Sequence, residues 1–233
     1  MNLLALDTSS DACSVALQSG EKISEQHVVE AKEHTRILIP MIRSLLQDAG
    51  LQIGDLDAIV LGNGPGSFIG MRIAASVAQG LAFASGLKIV PVSSMAAVAA
   101  EVMDTHKANE VIVAQDARMN EAYLGIYRCD DDGLPLAVIE EMLQPIEKIE
   151  LLTETNASTL FAAGKGWHQY PAFLELNRAA ISQALDVYYP RARYLLALGI
   201  RAYEIGEAVE PEMLAPAYIR TKVAEVPRKS AHQ

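Results

Sequence analysis

At 233 residues the chain is long enough for one large domain or two small ones, and 51% hydrophobic with 21% charged residues is ample for a packed core. Aspartate and glutamate outnumber lysine and arginine by 29 to 19, and the resulting net charge of −10, with a pI near 5.0, opposes autonomous binding to a phosphate backbone. No basic segment precedes the first apolar run, which contains Asp7, so a soluble, cytoplasmic protein without a signal peptide is expected, with Cys13 and Cys129 as buried thiols.

Leu3-Leu4-Ala5-Leu6 reads as a buried strand that ends at Asp7-Thr8-Ser9-Ser10, where the Asp side chain suits a local turn. Cys13, Val15 and Leu17 then alternate with smaller or polar residues, Ser19-Gly20-Glu21-Lys22 turns the chain, and Ile23 to Val29 supplies a third strand, giving an antiparallel meander. Glu33 to Ala49 reads as a helix from Leu38, Met41, Ile42, Leu45 and Leu46, with Pro40 inside it as an expected kink.

Ala58 to Leu61 is the next buried strand, and the glycine-rich turn Gly62-Asn63-Gly64-Pro65-Gly66 follows it, with Ser67 placed to cap a helix running to about Ser85. Bare amides at such a helix start can hold an anion. The turn fits neither standard phosphate motif, because it has no P-loop Lys and no third glycine in dinucleotide spacing. A tight structural turn is therefore the leading reading and an anion edge formed by Asp7, Thr8, Ser9, Gly64, Gly66 and Ser67 the alternative. The helix carries Phe68, Met71, Ile73, Val77, Leu81 and Phe83 among many small residues, with no polar face, so it is either a core helix or one covered by a partner. Arg72 and Gln79 argue against a membrane span.

Lys88 to Val92 reads as a strand and Ser93 to Met103 as a helix. The composition then turns polar at Asp104-Thr105-His106-Lys107, and the pattern restarts: a strand at Val111 to Ala114 ending at Asp116, an alternating strand through Tyr123 to Arg128, a turn at Asp130 to Gly133, and a third strand to about Glu140. The aspartates of that turn suit a solvated hairpin tip, with a metal site as the weaker alternative. Leu160 to Ala163 runs as a strand into the turn Gly164-Lys165-Gly166-Trp167, and Ala192 to Ile205 is an amphipathic helix. The tail is basic at Arg220, Lys222, Arg228 and Lys229. Two strand-rich openings predict a duplicated two-domain α/β fold, divided at 1–105 and 106–233, whose last segment packs back on the first domain.

The stretch from Gly64 to Arg72 resembles the TsaB (YeaZ) family, the accessory subunit of bacterial tRNA threonylcarbamoyladenosine synthesis. Leu6-Asp7-Thr8-Ser9, Cys13 to Ala16, Glu33-His34-Thr35, Asp116 to Met119 with Glu121 and Tyr123, Gly164 to Trp167, and Pro216, Tyr218 and Arg220 fall in the family's order over the whole chain. Ile69 departs from it, since the family usually carries Thr there. The resemblance implies two actin-like ATPase (ribonuclease H-like) domains, each a mixed sheet with an antiparallel meander and flanking helices. It also implies a homodimer in isolation, and a complex with the catalytic subunit TsaD and the ATPase TsaE. The activity implied is transfer of a threonylcarbamoyl group to adenosine 37 of tRNAs that read codons beginning with A.

In that role the chain is a non-catalytic subunit that meets tRNA only through the complex, needs no cofactor or metal of its own, and shares ATP or ADP, if at all, at a complex interface. The related catalytic subunit places a His-x-Glu-x-His metal element where this chain has Ser94-Met95-Ala96-Ala97-Val98, which offers no imidazole or carboxylate. The rival readings are an actin-like ATPase and a metallopeptidase. The former lacks the expected glycines after Asp116, and Gly164-Lys165-Gly166 is at best a remnant of an adenosine-binding element. The expected partner-binding residues are Leu38, Met41, Ile42 and Leu45 on one helix and Phe68, Met71, Ala74, Ala75 and Ala78 on the next.

Overall fold

The computed structural model describes residues 1–30, 33–147, 160–217 and 219. The tail cations Arg220, Lys222, Arg228 and Lys229, and Tyr218, lie outside the described residues. The first half runs β1 (Asn2–Asp7), β2 (Ala12–Ser19), β3 (Lys22–Val29), α1 (His34–Ala49), β4 (Ala58–Gly62), α2 (Phe68–Ser85), β5 (Lys88–Val92) and α3 (Ser94–His106). The second half runs β6 (Glu110–Asp116), β7 (Glu121–Cys129), β8 (Pro135–Pro145), β9 (Leu160–Ala163), α4 (Lys165–Gln169), α5 (Pro171–Leu176), β10 (Gln183–Ala184) and α6 (Ala192–Glu204).

Each half builds a five-stranded mixed sheet with the same order. The first reads β3-β2-β1-β4-β5 and the second β8-β7-β6-β9-β10. In both, tight turns make the three opening strands antiparallel, while longer connections add two parallel strands on the other side of the first strand. The register sets Leu4 beside Leu17 and Ile59, so that one face of the first sheet is continuously aliphatic.

The apolar clusters define the layers. Leu4, Leu6, Val15, Ile59 and Leu61 face α1 and α2. The opposite face, with Leu3, Ala5 and Val60, meets α3 and α6, which also cover Val111, Val113 and Tyr127 of the second sheet. Ile112, Leu124 and Ile126 turn to Trp167 and Phe173 on α4 and α5. α2 is the described helix long and apolar enough to cross a membrane by length and composition; it lies on the first sheet through Met71, Ala74, Ala75, Ala78 and Ala82.

Three details differ from the sequence reading. Pro40 does not interrupt α1: it deprives only the Arg36 carbonyl of a helical donor, on an exposed side of the helix where water can serve. Gly164-Lys165-Gly166-Trp167 is the start of a short helix rather than a simple turn. The segment that packs on the first sheet, expected only as the last part of the chain, begins as early as α6. α6 docks on the first sheet, Ile89 and Val209 exchange backbone hydrogen bonds of 2.9 and 2.8 Å, and Gln79 Nε2 donates to the Pro211 carbonyl at 2.9 Å. The first lobe thus takes back α6 and the chain that follows it as far as Ala215.

α6 can lie that close because Gly199 faces β4. A Cβ at this position would stand 2.7 Å from Val60 Cγ1 and nearer still to Cγ2. Its N-terminus is held by two side chains of the first sheet: Ser14 Oγ accepts from the Ala192 N–H at 2.8 Å, and Glu25 accepts from the Arg193 N–H at 3.1 Å and pairs with the Arg191 guanidinium at 2.5 Å.

Candidate functional site

The β1–β2 turn and the glycine turn before α2 are built as one unit. Asp7 is fully buried; its Oδ1 accepts from the backbone N–H and the hydroxyl of Ser9, both at 2.8 Å, and its Oδ2 from the Ser94 hydroxyl at 2.6 Å. Ser94 Oγ in turn accepts from the Gly64 N–H at 3.0 Å. Burial dominates over these hydrogen bonds and pushes the Asp7 carboxyl up to about 6. Glycine is required around it by close approach. A Cβ on Gly62 would lie 2.8 Å from Asp7 Cγ, and one on Gly66 or Gly70 would overlap the Ser9 or Thr8 carbonyl oxygen.

The amides expected to be bare are largely used within the chain. The Ser67 N–H donates to the Ser9 carbonyl at 2.6 Å, the Gly70 N–H to Ser67 Oγ at 3.2 Å, and the Thr8 hydroxyl to the Gly70 carbonyl at 2.7 Å. Ser67 is the cap that the sequence indicates. Asp7, Thr8 and Gly64 therefore form the support behind the turn, while Ser9, Gly66 and Ser67 line the cleft in front of it. Of the six residues expected at an anion edge, Ser9, Gly66 and Ser67 are thus the ones on the cleft, and Asp7, Thr8 and Gly64 lie behind them.

The cleft has a volume of about 360 Å³ and lies between the lobes. Its far wall is made by Gln115, Asp116, Arg118 and Met119 from the β6–β7 connection, with Lys165 and Tyr189. Gln115 Nε2 donates to the Tyr188 carbonyl at 2.9 Å, and Asp116 Oδ1 accepts from Tyr170 Oη at 2.7 Å and the Arg118 N–H at 2.8 Å. Arg118, Met119 and Asn120 hold φ of 63°, 56° and 57°, three consecutive side-chain-bearing residues in the left-handed region. The Ser94 to Val98 segment is buried at the start of α3, and no group of three His, Cys, Asp or Glu suited to a metal occurs among the described residues.

A second surface lies on the outer side of α1 and α2. Thr35, Leu38, Ile39, Ile69, Arg72, Ile73, Ser76 and Val77 line an apolar groove there. The expected contact residues need correction at this point. Leu38, Met41, Ile42, Leu45, Met71, Ala74, Ala75 and Ala78 are all buried in this chain's own core, and only Phe68 of that set is exposed. The small residues of α2 let it sit close to its own sheet, and the large ones point outward. Ile69 is 71% exposed and Phe83 72%, with Ile73 and Val77 partly buried between them. The spacing 69, 73, 76, 80, 83 is one helical stripe, a signal available in the sequence and hidden by the apolar residues on every side. Arg72 covers Phe68, its guanidinium carbon 3.6 Å from the ring centre.

Comparisons with known proteins agree over nearly the full chain. A sequence model of the family described as TsaD, tRNA N6-adenosine threonylcarbamoyltransferase, matches residues 27–226. The tRNA threonylcarbamoyladenosine biosynthesis protein TsaB of Haemophilus influenzae is 37% identical, covering 96% of this chain and 95% of its own length; that of Escherichia coli is 31% identical, covering 96% of each. Among solved structures, YeaZ from Pseudomonas aeruginosa superposes with a TM-score of 0.84 at 37% identity, over 93% of this chain and 99% of its own.

Proposed function

This chain belongs to the TsaB (YeaZ) family, and from that premise we propose that it serves tRNA threonylcarbamoyladenosine biosynthesis as a docking and activating subunit rather than as the transferase. The observation that carries this reading is the outward apolar stripe on α2, where Ile69 and Phe83 are exposed with Ile73 and Val77 half-buried between them, beside the exposed Ile39. Surface of this kind marks an interaction site. The partner assigned to it is the catalytic subunit TsaD, with a second copy of this chain taking the same stripe when the protein is alone and the ATPase TsaE joining the assembly.

The two sheets of equal order support a reading as paired actin-like domains. The Asp7 turn is closed by its own hydrogen bonds, which supports a subunit with no nucleotide of its own, ATP or ADP being bound at a complex interface. The acidic charge supports contact with tRNA through the complex, at adenosine 37 of tRNAs reading codons that begin with A.

Ile69→Glu and Phe83→Glu test this. Both side chains are exposed, so the variants fold, yet each places a carboxylate against an apolar partner surface and weakens binding by several kcal/mol. Co-purification with the catalytic subunit, self-association by sedimentation, and the modified-adenosine content of tRNA in cells depleted of the native protein should all fall together. Full binding and full modification by both variants would refute the assignment.

A further inference from the structure

The glycine-flanked lysine of the second lobe has no part in that reading, and its placement is specific. Gly164 has φ 99°, and a Cβ there would overlap the Ala114 carbonyl oxygen; one on Gly166 would stand 2.9 Å from the same atom. These two approaches fix the backbone of Lys165 against β6, and its N–H reaches Gln115 Oε1 at 3.4 Å. From there the side chain crosses the mouth of the cleft. Its ammonium pairs with the Asp11 carboxylate on the β1–β2 turn of the other lobe and lies 5.3 Å from the centre of the Tyr189 ring. Partial burial lowers the lysine's proton affinity, but bonds to Asp11 and Tyr189 outweigh it and the ammonium is held charged.

We propose that the Lys165–Asp11 pair is a latch across the interlobe cleft, holding it shut until an increase in ionic strength or an acidic group arriving in the cleft takes the ammonium from Asp11. Three features support a bond made to open. Both side chains line the cleft and are about one-third exposed, 28% for Lys165 and 32% for Asp11, so the pair is strong enough to bias the lobes and weak enough to be screened. The two partners sit on different lobes, so the pair spans the cleft rather than joining neighbours on one element. The turn that carries Asp11 is tied to the start of α2, because the Ser9 carbonyl accepts from the Ser67 N–H at 2.6 Å. The latch therefore reports to the end of α2 that bears Phe68 and Ile69.

Amide hydrogen exchange of the full chain, read on peptides covering 8–12 and 66–70, tests the latch. In the parent protein, raising sodium chloride from about 0.05 M to about 1 M, where screening shortens from beyond 10 Å to about 3 Å, should speed exchange in both segments at least threefold. Lys165→Met should exchange that fast at low salt and ignore added salt. Asp11→Lys combined with Lys165→Asp should restore slow, salt-sensitive exchange. Parent exchange that responds neither to salt nor to Lys165→Met would overturn the latch, and so would a reversed pair that stays as fast as the single variant.

Discussion

Gly199→Ala probes whether α6, which follows the whole second sheet in sequence, is structurally part of the first lobe. In an isolated helix the change would stabilise by about 1 kcal/mol, since alanine is the better helix former. Here the new methyl would stand 2.7 Å from Val60 Cγ1 and nearer to Cγ2, where carbon atoms settle at about 3.5–4.0 Å. Val60 is fully buried in the central strand β4 and cannot swing away, so α6 must lift off the sheet by about 1 Å, an overpacking cost near 3 kcal/mol. The net loss is about 2 kcal/mol. With a urea slope of about 2 kcal/mol/M this lowers the unfolding midpoint by about 1 M. Val60→Ala removes both colliding methyls and by itself leaves a cavity that costs about 2 kcal/mol. The double variant should then lie well above the sum of the two losses, by about 2 kcal/mol of favourable coupling. A Gly199→Ala protein as stable as the parent, or strictly additive losses, would refute the packing argument.

Three further outcomes are expected. Asp7 holds its proton more tightly folded than unfolded, so its contribution to stability is full below pH 4 and is lost as pH rises through about 6, a total of about 3 kcal/mol; Asp7→Asn cannot titrate, and its unfolding free energy should gain on the parent by that amount between pH 4 and 7, whereas parallel curves would contradict the assignment. Gly70→Ala drives a methyl into the Thr8 carbonyl, a backbone atom that cannot yield without opening the turn, and should lower stability by about 3 kcal/mol or more in urea titrations. Lys107→Gly relieves a left-handed residue at the end of α3 (φ 53°) worth about 1–2 kcal/mol against a glycine entropy cost of about 0.5–1, and gives up only an exposed pair with Asp104, so thermal unfolding should move up slightly; a clear drop would refute the strain argument.

Strand and helix types were legible wherever side-chain period matched burial: the β1 to β3 meander, the Ser67 cap, and the restart at β6 all stand where the sequence pattern places them. α5 and β10 escaped notice because six and two residues are too short to show a period. Two kinds of information were not local. Which face of α2 is inward depends on the distance to the sheet, and that distance is set by Ala74, Ala75 and Ala78; composition alone made these residues look suited to a partner. The Asp11–Lys165 pair joins residues 154 apart, and nothing in either neighbourhood names the other.

The two halves share a strand order but handle their first hairpins in opposite ways, and the difference bears on what the cleft can do. The β1–β2 turn is backed by Gly62, Gly66 and Gly70, each pressed against a carboxylate or carbonyl of residues 7 to 9, so that this part of the first wall is closely packed and the side chains of Asp7 and Thr8 are hydrogen-bonded within the lobe. The corresponding β6–β7 connection has no glycine. It reaches the left-handed region with Arg118, Met119 and Asn120 instead, and keeps Arg118 and Met119 on the cleft, where a phosphate cradle would need backbone amides laid bare. Side chains at these positions cost backbone strain of the kind that persists at functional sites. A wall built from a guanidinium, a thioether and the Asp116–Tyr170 hydrogen bond thus presents side chains to the cleft, where the first wall presents a turn held close by its glycines.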